Sequence, residues 1–312
     1  MPTPTSPYSA VTWSAQAPGA TEAAAQLATL TQINIDEFLA ALGLIGLLPT
    51  HPGRRLIEWV CRRPAQHFAR RILAYDNLVG AAGLQAGGTW ALHHCIRRLE
   101  VQGQAHIPRQ GALLVVANHP GLYDALALFA SLPRDDLRIV AAERPFWQAL
   151  PHTERHLFYV QQTSSQLKLV RQVAQHLRRQ GTLLLFPGGK IEPDPALLPD
   201  AAATLDAWSE SVDLFARLVP DLTIVPALVS GVLSPAALRH PLTRIRRTEV
   251  DRRWLGATLQ FIRPADVTVR VSFGPPIVAG NRPGTQADLP SRMVPAAMRR
   301  LIAQVPRPEQ PR

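Results

Sequence analysis

Five apolar residues, Leu113-Leu114-Val115-Val116-Ala117, run straight into Asn118-His119-Pro120-Gly121. A short, β-branched apolar run halted by a Pro-Gly pair predicts a buried strand that ends in a tight loop. A helical pattern then begins at Tyr123, with Asp124 in its first turn. The strand fixes the loop, and the start of the helix carries a carboxylate back toward the imidazole of His119, five positions earlier. A carboxylate on one ring nitrogen sets the tautomer and raises the basicity of the other, which can then take a proton from a hydroxyl or thiol. Alone, the pair has a plainer reading, with Asn118 or Asp124 as a helix cap and His119 as an ordinary loop residue.

That strand belongs to a series. Apolar or alternating segments at 99–106, 113–117, 137–141, 157–160, 182–186, 222–228 and 267–273 predict strands. Helical patterns at 123–131, 146–150, 164–179, 202–218 and 291–304 lie between and after them. The alternation predicts an α/β protein, with a sheet flanked by helices and binding loops at the C-terminal ends of strands. Ahead of it, residues 1–26 are rich in Pro, Thr, Ser and Ala and read as disordered. Ile35, Phe38, Leu39, Leu42, Ile45 and Leu48 recur at threes and fours and predict an amphipathic helix over 33–48, starting near Asn34 or Asp36 and ended by Pro49, Pro52 and Gly53. A second helical region over 54–75 is expected to break near Pro64, and 77–96 is helical in tendency. Its paired arginines Arg54-Arg55, Arg62-Arg63 and Arg70-Arg71, beside Trp59 and Phe68, suit either a lipid headgroup layer or a solvated basic face. The arginine-rich stretch 241–261 has the same two readings.

Lys plus Arg number 33 against 23 Asp plus Glu, a net charge of +10. Such an excess favours an anionic partner. Aromatic residues are only 6% and form no basic, aromatic-rich strand, which disfavours nucleic acid. Cys61 and Cys95 make no disulfide framework or metal pattern and fit a reducing compartment. The start, Met-Pro-Thr-Pro-Thr-Ser-Pro-Tyr, lacks the basic and apolar regions of a signal peptide. No apolar run approaches the ~18 residues that cross a bilayer, which leaves a position on its surface open.

A second loop resembles the first. The apolar strand at 182–186 runs into Pro187-Gly188-Gly189-Lys190. Paired glycines let backbone N–H groups approach an oxyanion or phosphate, and Lys190 adds charge. The loop is not a nucleotide P-loop, since Leu184 stands where the first glycine is required and no Ser or Thr follows Lys190. No Gly-x-Ser-x-Gly elbow or Gly-x-Gly-x-x-Gly turn is present. His93-His94-Cys95 and His152-Thr153-Glu154-Arg155-His156 lack the second ligand cluster or glutamate placement of a metal centre, so no metal site is expected.

With both loops identified, the chain resembles the glycerolipid acyltransferases of the lysophosphatidic acid acyltransferase-like group. Asn118-His119-Pro120-Gly121-Leu122-Tyr123-Asp124 is similar to that family's Asn-His-x-x-x-x-Asp block. Phe186-Pro187-Gly188-Gly189 stands where the family has Phe-Pro-Glu-Gly-Thr-Arg. Ile224-Val225-Pro226-Ala227-Leu228 with Ser230-Gly231 resembles its later Val-Pro block, and Phe273-Gly274-Pro275-Pro276-Ile277 its closing block. The blocks keep the family's order over about 99–278. The departures are Gly188 for the usual Glu, Lys190-Ile191 for Thr-Arg, and Val160-Gln161-Gln162 where an arginine often follows a strand. Arg144 and Lys190 are the candidate replacement cations.

The resemblance implies a mixed, mostly parallel sheet in an acyltransferase domain over 98–280. A disordered tail over 1–30 and a helical, membrane-associating region over 31–97 precede it, and a C-terminal helix and tail over 281–312 follow. It implies His119 as general base with Asp124, and Asn118, Arg144, Phe186, Pro187, Gly188, Gly189 and Lys190 around the substrates. The expected reaction moves a fatty acyl group from an acyl thioester, acyl-CoA or acyl carrier protein, to a hydroxyl of a glycerolipid or lysophospholipid, without cofactor or metal. A non-phosphorylated or amino-acid lipid acceptor, and a non-catalytic lipid-binding member of the fold, are the alternatives. The expected partners are the acyl thioester, the lipid acceptor and an anionic membrane surface. The expected location is cytoplasmic and peripheral, on the inner face of the cell membrane.

Overall fold

Along the strand Leu113–Ala117, alternate side chains enter two different cores. Leu113, Val115 and Ala117 pack with one set of helices, Leu114 and Val116 with another, and all five are fully buried. A strand covered on both faces has no use for a polar residue, which is why this one reads as an unbroken apolar run.

The computed structural model describes residues 20–44, 52–160, 166–262, 265–278 and 289–306. In chain order the elements are α1 (Ala20–Leu42), α2 (Pro52–His93), β1 (Ile96–Gln102), β2 (Leu113–Ala117), α3 (Tyr123–Ser131), β3 (Leu137–Ala142), α4 (Pro145–Gln148), α5 (Pro151–Glu154), β4 (Leu157–Val160) and α6 (Gln166–Arg178). They continue with β5 (Thr182–Leu185), α7 (Ser211–Leu218), β6 (Thr223–Ser230), α8 (Pro235–Leu238), α9 (Glu249–Ile262), β7 (Ala265–Phe273), β8 (Ile277–Val278) and α10 (Pro290–Ala303).

The strands form one eight-stranded sheet in the order β1-β7-β6-β2-β5-β3-β4, with β8 also on β6. Strands β2 to β6 run parallel, and β7 meets β6 antiparallel. This is the mixed, mostly parallel α/β sheet expected. The C-terminal ends of β2, β5 and β6 share one edge, with Val116 in register with both Leu185 and Pro226. Pro226 is tolerated in this buried strand because it falls between two partners: β8 pairs β6 at 223–224, and β7 takes over at Ala227. Helices α2 and α3 cover one face; α6, α7 and α10 cover the other.

Five expectations change. The tail expected to be disordered to residue 30 is already helical from Ala20, because its alanines favour helix and Leu27 and Leu30 pack with Ala69 and Leu150. Asn34 and Asp36 thus lie within α1 rather than at its start. The helix stops at Leu42, where the N–H groups of Gly43 and Leu44 bond back to Ala40 and Leu39; the part expected beyond 44 lies outside the described residues. Pro52 opens α2 rather than ending a helix, and the break expected near Pro64 comes at Gly83. The helix expected over 202–218 is two pieces, a 3₁₀ segment at Pro199–Ala207 and α7. Between them the chain turns aside so that the Ser209 N–H reaches the Pro187 carbonyl at 3.3 Å.

No helix among the described residues is long and apolar enough to cross a membrane. Gly83, at φ 83° and ψ 173°, occupies backbone space almost closed to other residues, yet a Cβ there would touch nothing within 4 Å. Gly83→Ala is therefore expected to cost about 1–3 kcal/mol through the backbone alone, read as a lower urea midpoint at unchanged slope.

Candidate active site

Where β2 ends, its backbone ladder with β6 is continued by a side chain. The amide of Asn118 donates to the Val229 carbonyl at 2.9 Å and accepts the Val229 N–H at 2.8 Å. Asn118 is buried, and both ends of its amide are satisfied. His119 follows, held at the sheet edge, with 24% of its side-chain surface exposed.

Asp124 reaches back to it from the first turn of α3. Its Oδ2 lies 2.8 Å from His119 Nδ1 and accepts the Gly121 N–H at 3.0 Å, and its Oδ1 accepts the Ala125 N–H at 2.6 Å. The carboxylate has no solvent exposure, and the helix N-terminus favours its charge. An ionised carboxylate only accepts, so the imidazole proton sits on Nδ1 and Nε2 carries the lone pair. Burial works against a charged imidazole. The charge and hydrogen bond of Asp124, with the charge of Glu192, outweigh it and hold the His119 pKa above its ordinary value.

The second expected loop arrives at the same place. Phe186 stacks obliquely on His119, with ring centroids 4.8 Å apart. Pro187 is buried, and the Gly189 N–H closes a turn on the Phe186 carbonyl at 3.1 Å. Of the two glycine amides, that of Gly189 is thus committed within the loop. Lys190 is exposed. Arg144 is not brought to His119: its guanidinium bonds Glu37 of α1 at 2.9 Å and lies 5.1 Å from the ring of Trp254 on α9.

Three residues that sequence reasoning passed over complete the framework. Glu192 Oε2 accepts the backbone N–H of His119 at 2.8 Å, and the Glu192 N–H donates to the His119 carbonyl at 2.8 Å. Trp208 Nε1 donates to Glu192 Oε1 at 2.6 Å. Burial pushes the Glu192 carboxyl pKa up, against the pull of these donors. Asp194, fully buried, accepts the N–H groups of Ala196, Gly231, Val232 and Leu233 at 2.7–3.0 Å. The sequence carries one signal for two of them: Glu192-Pro193-Asp194-Pro195 sets two acids among prolines directly after the Gly-Gly loop.

The arrangement offers one polarised imidazole with an open nitrogen at the mouth of two strand-end loops, suited to taking a proton from a hydroxyl. Residues 98–230 match the family model described as Acyltransferase. Among solved structures, the 1-acyl-sn-glycerophosphate (LPA) acyltransferase PlsC from Thermotoga maritima is similar at 14% identity and a TM-score of 0.45, over 90% of this chain and 94% of that chain. No curated protein matches this chain.

Asp194→Ala would strand four N–H groups, three of them buried. It is expected to destabilise the fold by about 3 kcal/mol or more, measured by chemical denaturation.

Proposed function

We propose that this chain, an acyltransferase by the family to which its residues 98–230 belong, moves a fatty acyl group from an acyl thioester to a hydroxyl of a glycerolipid or lysophospholipid. The observation that carries this reading is the 2.8 Å bond between His119 Nδ1 and the buried Asp124 carboxylate, which leaves Nε2 as the base. Nε2 takes the acceptor hydroxyl's proton as its oxygen attacks the thioester carbonyl. The tetrahedral oxyanion draws on the backbone N–H of Gly188, collapses, and releases the thiolate, which receives the proton from the imidazolium. A thioester is already activated, so the scheme needs neither a cofactor nor a covalent intermediate on the enzyme. The donor is acyl-CoA or acyl carrier protein.

A non-phosphorylated acceptor, such as an amino-acid lipid, is the second reading. It is favoured by the engagement of Arg144 with Glu37 and Trp254, and by Lys190-Ile191 standing in place of Thr-Arg. A panel of lyso-lipids and amino-acid lipids, assayed with a labelled acyl thioester, separates the two.

The lipid substrates call for a site at the membrane surface. Leu56, Trp59 and Val60 are 62%, 75% and 57% exposed at i, i+3 and i+4 of α2, with Arg55, Arg62 and Arg63 exposed around them. An apolar stripe within a basic rim suits the headgroup layer of an anionic leaflet, here the inner face of the cell membrane.

His119→Ala is expected to lower acyl transfer by roughly 10²–10⁴-fold while leaving the unfolding transition in place. Because the base must be neutral and its pKa is raised, wild-type activity is expected to fall as pH drops through a midpoint above the ordinary histidine value. Near-normal turnover in the mutant would end the mechanism. In a flotation assay, vesicles containing anionic lipid are expected to carry the protein, and neutral vesicles to carry less; equal binding would count against the electrostatic contribution.

A further inference from the structure

Glycine at position 188 and glutamate at position 192 are coupled. A Cβ built on Gly188 would lie 2.9 Å from both Cδ and Oε1 of Glu192, closer than such atoms approach. The carboxylate of Glu192 therefore fills the space that a side chain at 188 would enter. Where the resemblance expects a glutamate at 188, this chain keeps that space free and fills it from four positions downstream.

From there Glu192 grips His119 at both ends of its main chain, accepting its N–H and donating to its carbonyl, each at 2.8 Å. With Nδ1 held by Asp124, three of the four polar groups of His119 are engaged, and the fourth is Nε2. Trp208 fixes the far oxygen of the same carboxylate and holds it against the loop. The donors that meet this carboxylate, the His119 N–H, the Trp208 N–H and the Thr204 hydroxyl, favour its ionised form against the burial that pushes its pKa up. The charged groups that face the imidazole are Asp124, from α3, and Glu192, from the loop after β5. Each would stabilise the imidazolium as it forms.

We propose that Glu192 is a positioning residue for the base: its carboxylate, admitted by the glycine at 188, sets the place of the His119 backbone and lends charge to the imidazolium. The proposal rests on the reading of His119 as the base, but its main readout needs no turnover. Glu192→Gln keeps the shape, removes the charge, and leaves one acceptor oxygen for two N–H donors. An NMR titration of the His119 imidazole in the full chain is expected to show its midpoint falling by roughly half a unit to one unit. The acid limb of acyl transfer should move down with it, while kcat drops about tenfold or more at unchanged KM. An imidazole midpoint equal to that of the wild type overturns the proposal. A shifted midpoint in a chain without acyl transfer would instead defeat the acyl-transfer reading and leave the coupling of Glu192 to His119 standing. Should Glu192→Gln fail to fold, Glu192→Asp serves: it keeps the charge but withdraws it from the His119 N–H, so kcat should fall with the pH midpoint nearly kept. Unchanged kcat in that variant would overturn the proposal equally.

Discussion

Beyond Ala117 the backbone of β2 loses its strand neighbours, and side chains from both sides take over the pairing. The Asn118 amide continues the ladder toward β6 through Val229. Residue 192 continues it on the β5 side by engaging the N–H and C=O of His119. A parallel sheet that simply ended here would leave these polar groups to solvent and the loop to move. Two polar side chains prolong the rigidity of the sheet by two residues, far enough to include the imidazole.

Much of this could be read in the chain, for a physical reason. Strands buried on both faces have few residue types open to them, so 113–117 and 182–185 announce themselves, and the Asp124 contact follows from the geometry of a strand, a tight loop and a helix start. What the sequence does not mark depends on distance along the chain. Glu192, Asp194 and Trp208 act on groups that sequence places far away, and no local periodicity marks a carboxylate that will meet a backbone amide. The same limit explains the helix ends. The alanine-rich start of α1 looked like a tail because the surfaces that bury Leu27 and Leu30 come from Ala69 and Leu150. The split before α7 likewise answers to Trp208 and Ser209, which leave the helical path to meet the 187–192 loop.

Charge tells a related story at two scales. Over the whole chain Lys and Arg exceed Asp and Glu by ten, which favours an anionic partner. Around His119 the balance reverses, with two carboxylates facing the ring and Arg144 held elsewhere. The chain as a whole is basic, while the two carboxylates beside the ring favour a positive charge on the imidazole. Neither feature opposes the other, because solvent and salt screen the exposed charges, whereas the buried carboxylates act on the ring at short range.

The Asn118–Val229 pair spans 111 positions, and the grip of Glu192 on His119 spans 73. During synthesis, His119 therefore leaves the ribosome well before the residues that hold it exist outside the tunnel. A nascent chain ending near residue 190 would already carry the imidazole and Asp124, yet not the framework that orients their loop. The full set of contacts at this loop thus requires residues as far along the chain as Val229, and a chain cut short before that point would carry the two residues of the pair without their support.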